Sequence, residues 1–111
     1  MLRAAVTRPR KSRIGADTPD RAGSNSKHRA FTPHSWTNGI GLLANLHVSA
    51  GVGGGPFFEY PYDPPGWTPE RREFMLSEPV RINADGEIEV PQRPGLGVEL
   101  DEDAVRRWRI G

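Results

Sequence analysis

Two residues combine a chemically useful type with a useful spacing: His34 in Phe31-Thr-Pro-His-Ser-Trp36, and Glu59 in Pro56-Phe-Phe-Glu-Tyr60. Imidazole exchanges protons near neutral pH. A carboxyl group inside an aromatic run is costly to bury unless something partners it. A carboxylic acid hydrogen-bonded to a developing oxyanion stabilises an enolate. A histidine and a carboxyl group meeting at one small ligand therefore point to proton abstraction next to a carbonyl or carboxylate. The bland alternative for His34 is a turn residue after proline. His47, inside a helical pattern, reads as a packing or surface residue.

A βαβ unit would bring the two together. Phe31 and Thr32 suit the end of a strand that Pro33 stops. Thr37 or Asn38 can cap a helix. Ile40, Leu43, Leu46 or His47, and Ala50 recur at helical spacing, which predicts a helix over Asn38–Ala50 with Gly51 as its stop. Gly39 and Gly41 weaken that helix and permit close approach of a neighbour. Pro56–Tyr60 is of strand length. In a parallel unit the two strand ends would lie about 5 Å apart on one side.

The formal net charge of +1 hides a split. Residues 1–30 carry eight basic and two acidic side chains, whereas residues 31–111 carry seven and twelve. The first segment has no aromatic residue to stack on bases and no apolar period, so it reads as a disordered basic arm, not a nucleic-acid-binding element. The abrupt change at residue 31 fits a gene start inside a longer ancestral coding region. There is no cysteine, hence no disulfide and no thiolate metal site. No apolar run reaches membrane-span length, and the first residues lack the apolar stretch of a secretory signal. A cytoplasmic location is expected, with no membrane and no nucleic-acid partner.

Beyond Tyr60, Pro61–Gly66 reads as a rigid loop. Thr68 as N-cap, Pro69 and Glu70 open a short helix ending near Phe74–Leu76. Val80–Asn83 and Glu87–Val90 alternate with period two across Asp85-Gly86, which predicts a hairpin. Asp101–Trp108 reads as a helix with acids at its start and arginines at its end, matching the helix dipole. Asp63, Asp85 and Asp101-Glu-Asp103 occupy turns and a cap and form no convincing metal set. No phosphate loop, dinucleotide fingerprint or nucleophile elbow is present.

The segments Phe31-Thr-Pro-His-Ser-Trp-Thr-Asn-Gly-Ile-Gly-Leu-Leu-Ala-Asn-Leu-His47, Phe57-Phe-Glu-Tyr60 and Arg93-Pro-Gly-Leu-Gly-Val-Glu-Leu-Asp-Glu-Asp-Ala-Val105 resemble, in order and spacing, the C-terminal end of the mandelate racemase/muconate lactonizing enzyme family of the enolase superfamily. The resemblance covers about residues 31–111. It implies an α/β fold class: the last two strands and one helix of a modified (β/α) TIM barrel, plus the return to a capping domain. Residues 31–78 would end the barrel, with Phe31–His34 as its seventh strand and Pro56–Tyr60 as its eighth, and residues 79–111 would be the capping return. It implies His34 as the base, Glu59 as the acid on the substrate carboxylate, and Trp36 and Tyr60 lining or buttressing the pocket. The complete enzyme would use Mg2+. This chain alone implies no cofactor, because the metal-ligand strands, the second-strand lysine and the sixth-strand aspartate that orients the histidine are missing. Asp20 stands too near His34 in sequence to take that last role.

Three readings follow. The chain is a fragment of a magnesium-dependent acid-sugar dehydratase or racemase, inactive alone. Or it completes a barrel with a separate N-terminal barrel fragment and then meets a carboxylate-bearing sugar acid. Or it is a small non-enzymatic binding protein, with self-association through its strand edges. Exposed strand edges and an uncovered helix face would make the isolated chain prone to aggregate.

Overall fold

The structure is a computed structural model that describes the backbone of residues 2–7 and, in full, residues 32–52 and 57–111. Its elements are β1 (Leu2–Thr7), α1 (Gly39–Val52), β2 (Phe58–Tyr60), α2 (Pro69–Arg72), β3 (Glu87–Glu89) and α3 (Glu102–Arg107).

Helix α1 follows its sequence pattern. The Asn38 Oδ1 accepts from the Gly41 N–H at 3.1 Å, and the Asn38 carbonyl takes the Leu42 N–H at 3.0 Å. Of the two candidate caps, Asn38 does the work. Leu42, Leu43 and Leu46 are fully buried and meet Phe58, Tyr60, Leu76, Val80, Ile88 and Val90 in one core. Gly39 is buried at the start of α1, where an added Cβ would lie 2.7 Å from Glu73 Cγ and from Leu76 Cδ1. Its missing side chain lets the helix end rest on the segment after α2.

The sheet has the order β2-β1-β3. The first half of β1 pairs antiparallel with β2, Leu2 opposite Tyr60 and Ala4 opposite Phe58. Its second half pairs parallel with β3, Ala5 opposite Glu87 and Thr7 opposite Glu89. One strand thus joins two three-residue strands that do not pair with each other.

Three expectations change here. Leu2–Thr7, read as part of a basic arm without structure, forms the central strand. Leu2, Ala4 and Val6 alternate with the polar or small residues between them, and Val6 and Thr7 are β-branched, which suits a strand. Residues 8–31, the rest of that arm and its Asp20, lie outside the described residues. Second, Thr32–Asn38 forms no strand, so the parallel pairing with β2 is replaced by β1. Pro33 has no N–H to give a ladder. The Ser35 N–H is committed to the Glu59 side chain. Phe31 lies outside the described residues. The α/β character stands, as do α1 and a strand at 58–60, but no barrel closes among the described residues.

Third, the hairpin after residue 80 forms its turn but not its first strand. Asn83 Oδ1 accepts from the Asp85 and Glu87 N–H groups at 3.0 and 2.9 Å, and Gly86 takes φ 79°. Asn83 N–H donates to the Glu87 carbonyl at 2.8 Å. The ladder stops there because Val80 spends both backbone groups elsewhere: its N–H on Glu73 Oε2 and its carbonyl on the Tyr60 hydroxyl. β3 pairs instead with β1.

The C-terminal part closes on itself. Ser77 N–H bonds the Glu99 carbonyl at 3.0 Å and Asp101 N–H the Met75 carbonyl at 2.9 Å. Asp101 then caps α3, its Oδ1 accepting from Ala104 N–H at 2.9 Å. Between β3 and α3, Gly97 has φ 76°, and a Cβ there would sit 2.5 Å from Pro91 Cβ and 2.9 Å from the Pro91 carbonyl carbon. Both the backbone region and the space demand glycine. Gly97→Ala is expected to lower stability by about 2 kcal/mol or more, read as a drop in the urea midpoint. An unchanged midpoint would mean that Pro91 moves aside freely.

Candidate active site

Four residues from three segments converge. Glu59 is held by β2, whose Phe58 and Tyr60 turn into the core and so direct Glu59 to the other face. His34 and Ser35 lie on the extended segment before α1, and Asn45 lies on α1 itself. His34 Nδ1 stands 2.9 Å from Glu59 Oε2 and 3.2 Å from Oε1. Ser35 N–H donates to the same Oε2 at 2.7 Å. Ser35 is fully buried, and its Oγ accepts from Asn45 Nδ2 at 3.0 Å. The helix thereby fixes the serine, the serine fixes the carboxylate, and the carboxylate fixes the imidazole.

Exposure divides the pair. The Glu59 side chain is 8% accessible, that of His34 76%. Both carboxylate oxygens face N–H groups, which suits an ionised acceptor. The His34 Nδ1–H must then donate, leaving the Nε2 lone pair toward solvent. Such an imidazole is set up to accept a proton from a ligand on its outer side.

Trp36 is partly exposed and packs against Trp67, with ring centroids 6.0 Å apart. It stands two residues after His34 in the chain. Tyr60 lies elsewhere. It belongs to the core, its hydroxyl donates to the Val80 carbonyl at 2.8 Å, and the Arg72 guanidinium covers its ring at 4.3 Å. Burial raises the Tyr60 phenol above its ordinary 10.0. Its place is to buttress the strand that carries Glu59. His47 is half-buried and donates from Nε2 to the Leu96 carbonyl at 3.0 Å, a packing role. Ser35 and Asn45 were invisible as site residues in the sequence, since neither type nor spacing marks them out. A buried serine beside the histidine was the one available signal, and burial is not written in the sequence.

A cleft of about 560 Å3 opens between residues 78–83 and 89–98, lined by Arg81, Asn83, Glu89 and Arg93 among others. Neither His34 nor Glu59 lines it. Among the described residues the cleft and the joined imidazole and buried carboxylate therefore lie in different places. Among the described residues no group of three or more His, Asp or Glu could hold a metal ion. Glu59 has both oxygens engaged by His34 and Ser35. The described residues do not by themselves fit a magnesium ion. No helix among them is long and apolar enough to cross a membrane.

Comparison with known proteins identifies the family. The model of the enolase C-terminal domain-like family matches residues 24–104. The chain is 39% identical over 69 residues to muconate cycloisomerase 1 of Rhodococcus opacus, covering 62% of this chain and 17% of that protein. It is 29% identical over 84 residues to D-galactarolactone cycloisomerase of Agrobacterium fabrum, covering 72% and 22%. It is 31% identical over 77 residues to D-xylonate dehydratase of Haloferax volcanii, covering 69% and 18%. The chain thus spans about a fifth of the length of the curated relatives it matches. No solved structure gives a significant match. The family match takes in α1, β2, α2, β3 and the His34–Glu59 pair, and the chain belongs to the enolase C-terminal domain-like family, in the mandelate racemase/muconate lactonizing enzyme branch of the enolase superfamily.

Proposed function

We propose that this chain supplies the proton-accepting end of an acid-sugar-processing active site, with dehydration or racemisation as the outcome. The reaction class is removal of the proton α to a carboxylate, giving an enolate. The observation that carries this reading is the exposed His34 ring held from behind by the buried Glu59 carboxylate. His34 Nε2 takes the proton, and Glu59 stabilises the imidazolium that results. The names of the relatives, two cycloisomerases and a dehydratase, support the class but do not choose a substrate.

The share of those relatives covered favours a site finished by other protein. That protein would be an N-terminal barrel portion, which would bring the enolate-stabilising groups and, in this family, Mg2+. Within this reading, residues 31–78 act as the barrel end and residues 79–111 as the return toward a cap. A complete unit is tested by mixing the full chain with the remainder of the Rhodococcus muconate cycloisomerase, lacking its own matched segment, in Mg2+ and D2O. Deuterium entering the α position of a sugar acid, seen by proton NMR, is the expected result. His34→Asn should slow that exchange by about 10²–10⁴-fold. Exchange no faster than in buffer with the wild-type chain present would sink the proposal.

A further inference from the structure

One hydrogen bond behind Glu59 stands Ser35, and two behind it stands Asn45 on α1. We infer that Asn45 is a positioning residue of this site, acting through Ser35 on the Glu59 carboxylate and on the backbone of His34. The inference rests on the reading of His34 and Glu59 as the reacting end of the site, and it holds for any ligand group that Glu59 meets.

Three observations carry this. First, the bonds form a continuous line. Asn45 Nδ2 donates to Ser35 Oγ at 3.0 Å, and the Ser35 N–H donates to Glu59 Oε2 at 2.7 Å. A bond of that length from an N–H to a carboxylate is charge-assisted, and it loses strength steeply when the donor turns away. The peptide unit is planar, so the plane that aims the Ser35 N–H also contains the His34 carbonyl. Holding it orients the backbone of both candidate residues at once. Second, Ser35 is fully buried. A hydroxyl taken out of water depends on a protein partner, and the amide of Asn45 is that partner. Third, the segment is seated on one face of α1. Gly41 and Asn45 are four residues apart and share that face. A Cβ on Gly41 would lie 2.6 Å from both Thr37 Oγ1 and Thr37 Cγ2, so Thr37 rests directly on the helix there. Thr37 on Gly41 and Ser35 on Asn45 are two points of attachment for the stretch that carries His34. The helix beneath is itself anchored, since Leu42, Leu43 and Leu46 on either side of Asn45 are fully buried. An amide presented from a fixed helix has the rigidity that a supporting residue needs to hold a reacting group in place.

The line of bonds can be read without substrate, metal or partner. The full 111-residue chain is labelled with 15N-serine, and the Ser35 amide is assigned by its loss in Ser35→Ala. In wild type that amide should exchange with D2O about 100-fold more slowly than in an unstructured peptide. Asn45→Ala should speed exchange at Ser35 by about tenfold or more and leave the Ser49 amide, on the same helix, within about twofold of wild type. Wild-type exchange at the peptide rate overturns the inference, as does a Ser35 amide indifferent to Asn45→Ala. Equal acceleration at Ser35 and Ser49 would mean that Asn45 merely stabilises α1, and overturns it too. The second arm uses the mixture with the Rhodococcus remainder. Asn45→Ala and Ser35→Ala should each lower kcat for α-proton exchange by about tenfold. The double variant should lose no more than either single one, because both cut the same line. Losses that multiply would place the two residues in separate roles and overturn the inference. If wild-type α-proton exchange is absent while the Ser35 amide answers to Asn45, the proposed reaction fails and the positioning by Asn45 stands.

Discussion

Arg72→Ala is expected to destabilise this chain by about 3–5 kcal/mol at neutral pH. Arg72 and Glu73 form an ion pair whose two side chains are both 0% accessible. Arg72 donates from Nε and Nη2 to Glu73 Oε1 and from Nη1 to the Pro61 carbonyl, while its guanidinium covers Tyr60. Glu73 Oε2 in turn takes the Val80 N–H. Removing the arginine strands a buried carboxylate and a buried carbonyl together, at a cost of about 3–5 kcal/mol. A domain of this size has roughly 5–15 kcal/mol in total. Burial already holds the Glu73 carboxyl above its ordinary 4.5, against the pull of Arg72 and the Val80 N–H. A group raised in the folded state binds its proton more tightly there. Its stabilisation is complete below pH 4.5 and is lost as pH rises through the raised value. The Arg72→Ala defect should therefore shrink in acid, where Glu73 can be buried neutral. The free-energy difference between wild type and Glu73→Gln should move against wild type as pH rises through that window. R72M/E73Q, which removes both charges and keeps an acceptor for Val80, should retain more stability than Arg72→Ala. Urea unfolding at pH 4 and pH 7 checks all of this, and an Arg72→Ala chain as stable as wild type at pH 7 would refute it.

Phe58→Ala is expected to cost about 3–5 kcal/mol. Phe58 is fully buried against the leucines of α1, on a strand of only three residues. The cavity would open under the residue next to Glu59. The same substitution should therefore weaken the hold on His34 as well as global stability. Val48→Ala, on the outward face of α1, should change the urea midpoint by no more than about 0.5 kcal/mol equivalent. Equal effects at the two positions would mean that the core is not where the structure puts it.

Local features of the chain were legible in its sequence. The leucine spacing gives α1, and Asn38, Asp101 and Asp85-Gly86 do what their residue types predict. These depend on a few neighbouring residues and on propensities that act locally. Pairing was not legible. Nothing in Leu2–Thr7 tells which strands will flank it, because Arg3 and the small Ala4 and Ala5 blur its alternation and register is set by distant partners. The strand expected at Phe31–Thr32 is absent from the described part of that segment for a tertiary reason, the capture of the Ser35 N–H by Glu59. The Arg72–Glu73 pair reads as surface charge on a short helix until packing buries it. At the site, types and spacing singled out His34 and Glu59. Which nitrogen faces the carboxylate needed coordinates.

The staggered central strand has a consequence for the order in which this molecule can assemble. β1 leaves the ribosome before either of its partners. It pairs with β2 only once Tyr60 has been made and with β3 only once Glu89 has. Until then its backbone donors and acceptors have no ladder, whereas α1 can form from neighbouring residues alone. The β1–β2 contacts close loops of about half the chain and the β1–β3 contacts loops of about three-quarters of it, a topology that slows folding and prolongs exposure of an unpaired edge. The same three-residue strand that presents Glu59 to His34 is therefore zipped into the sheet late, and the geometry of the site matures with it.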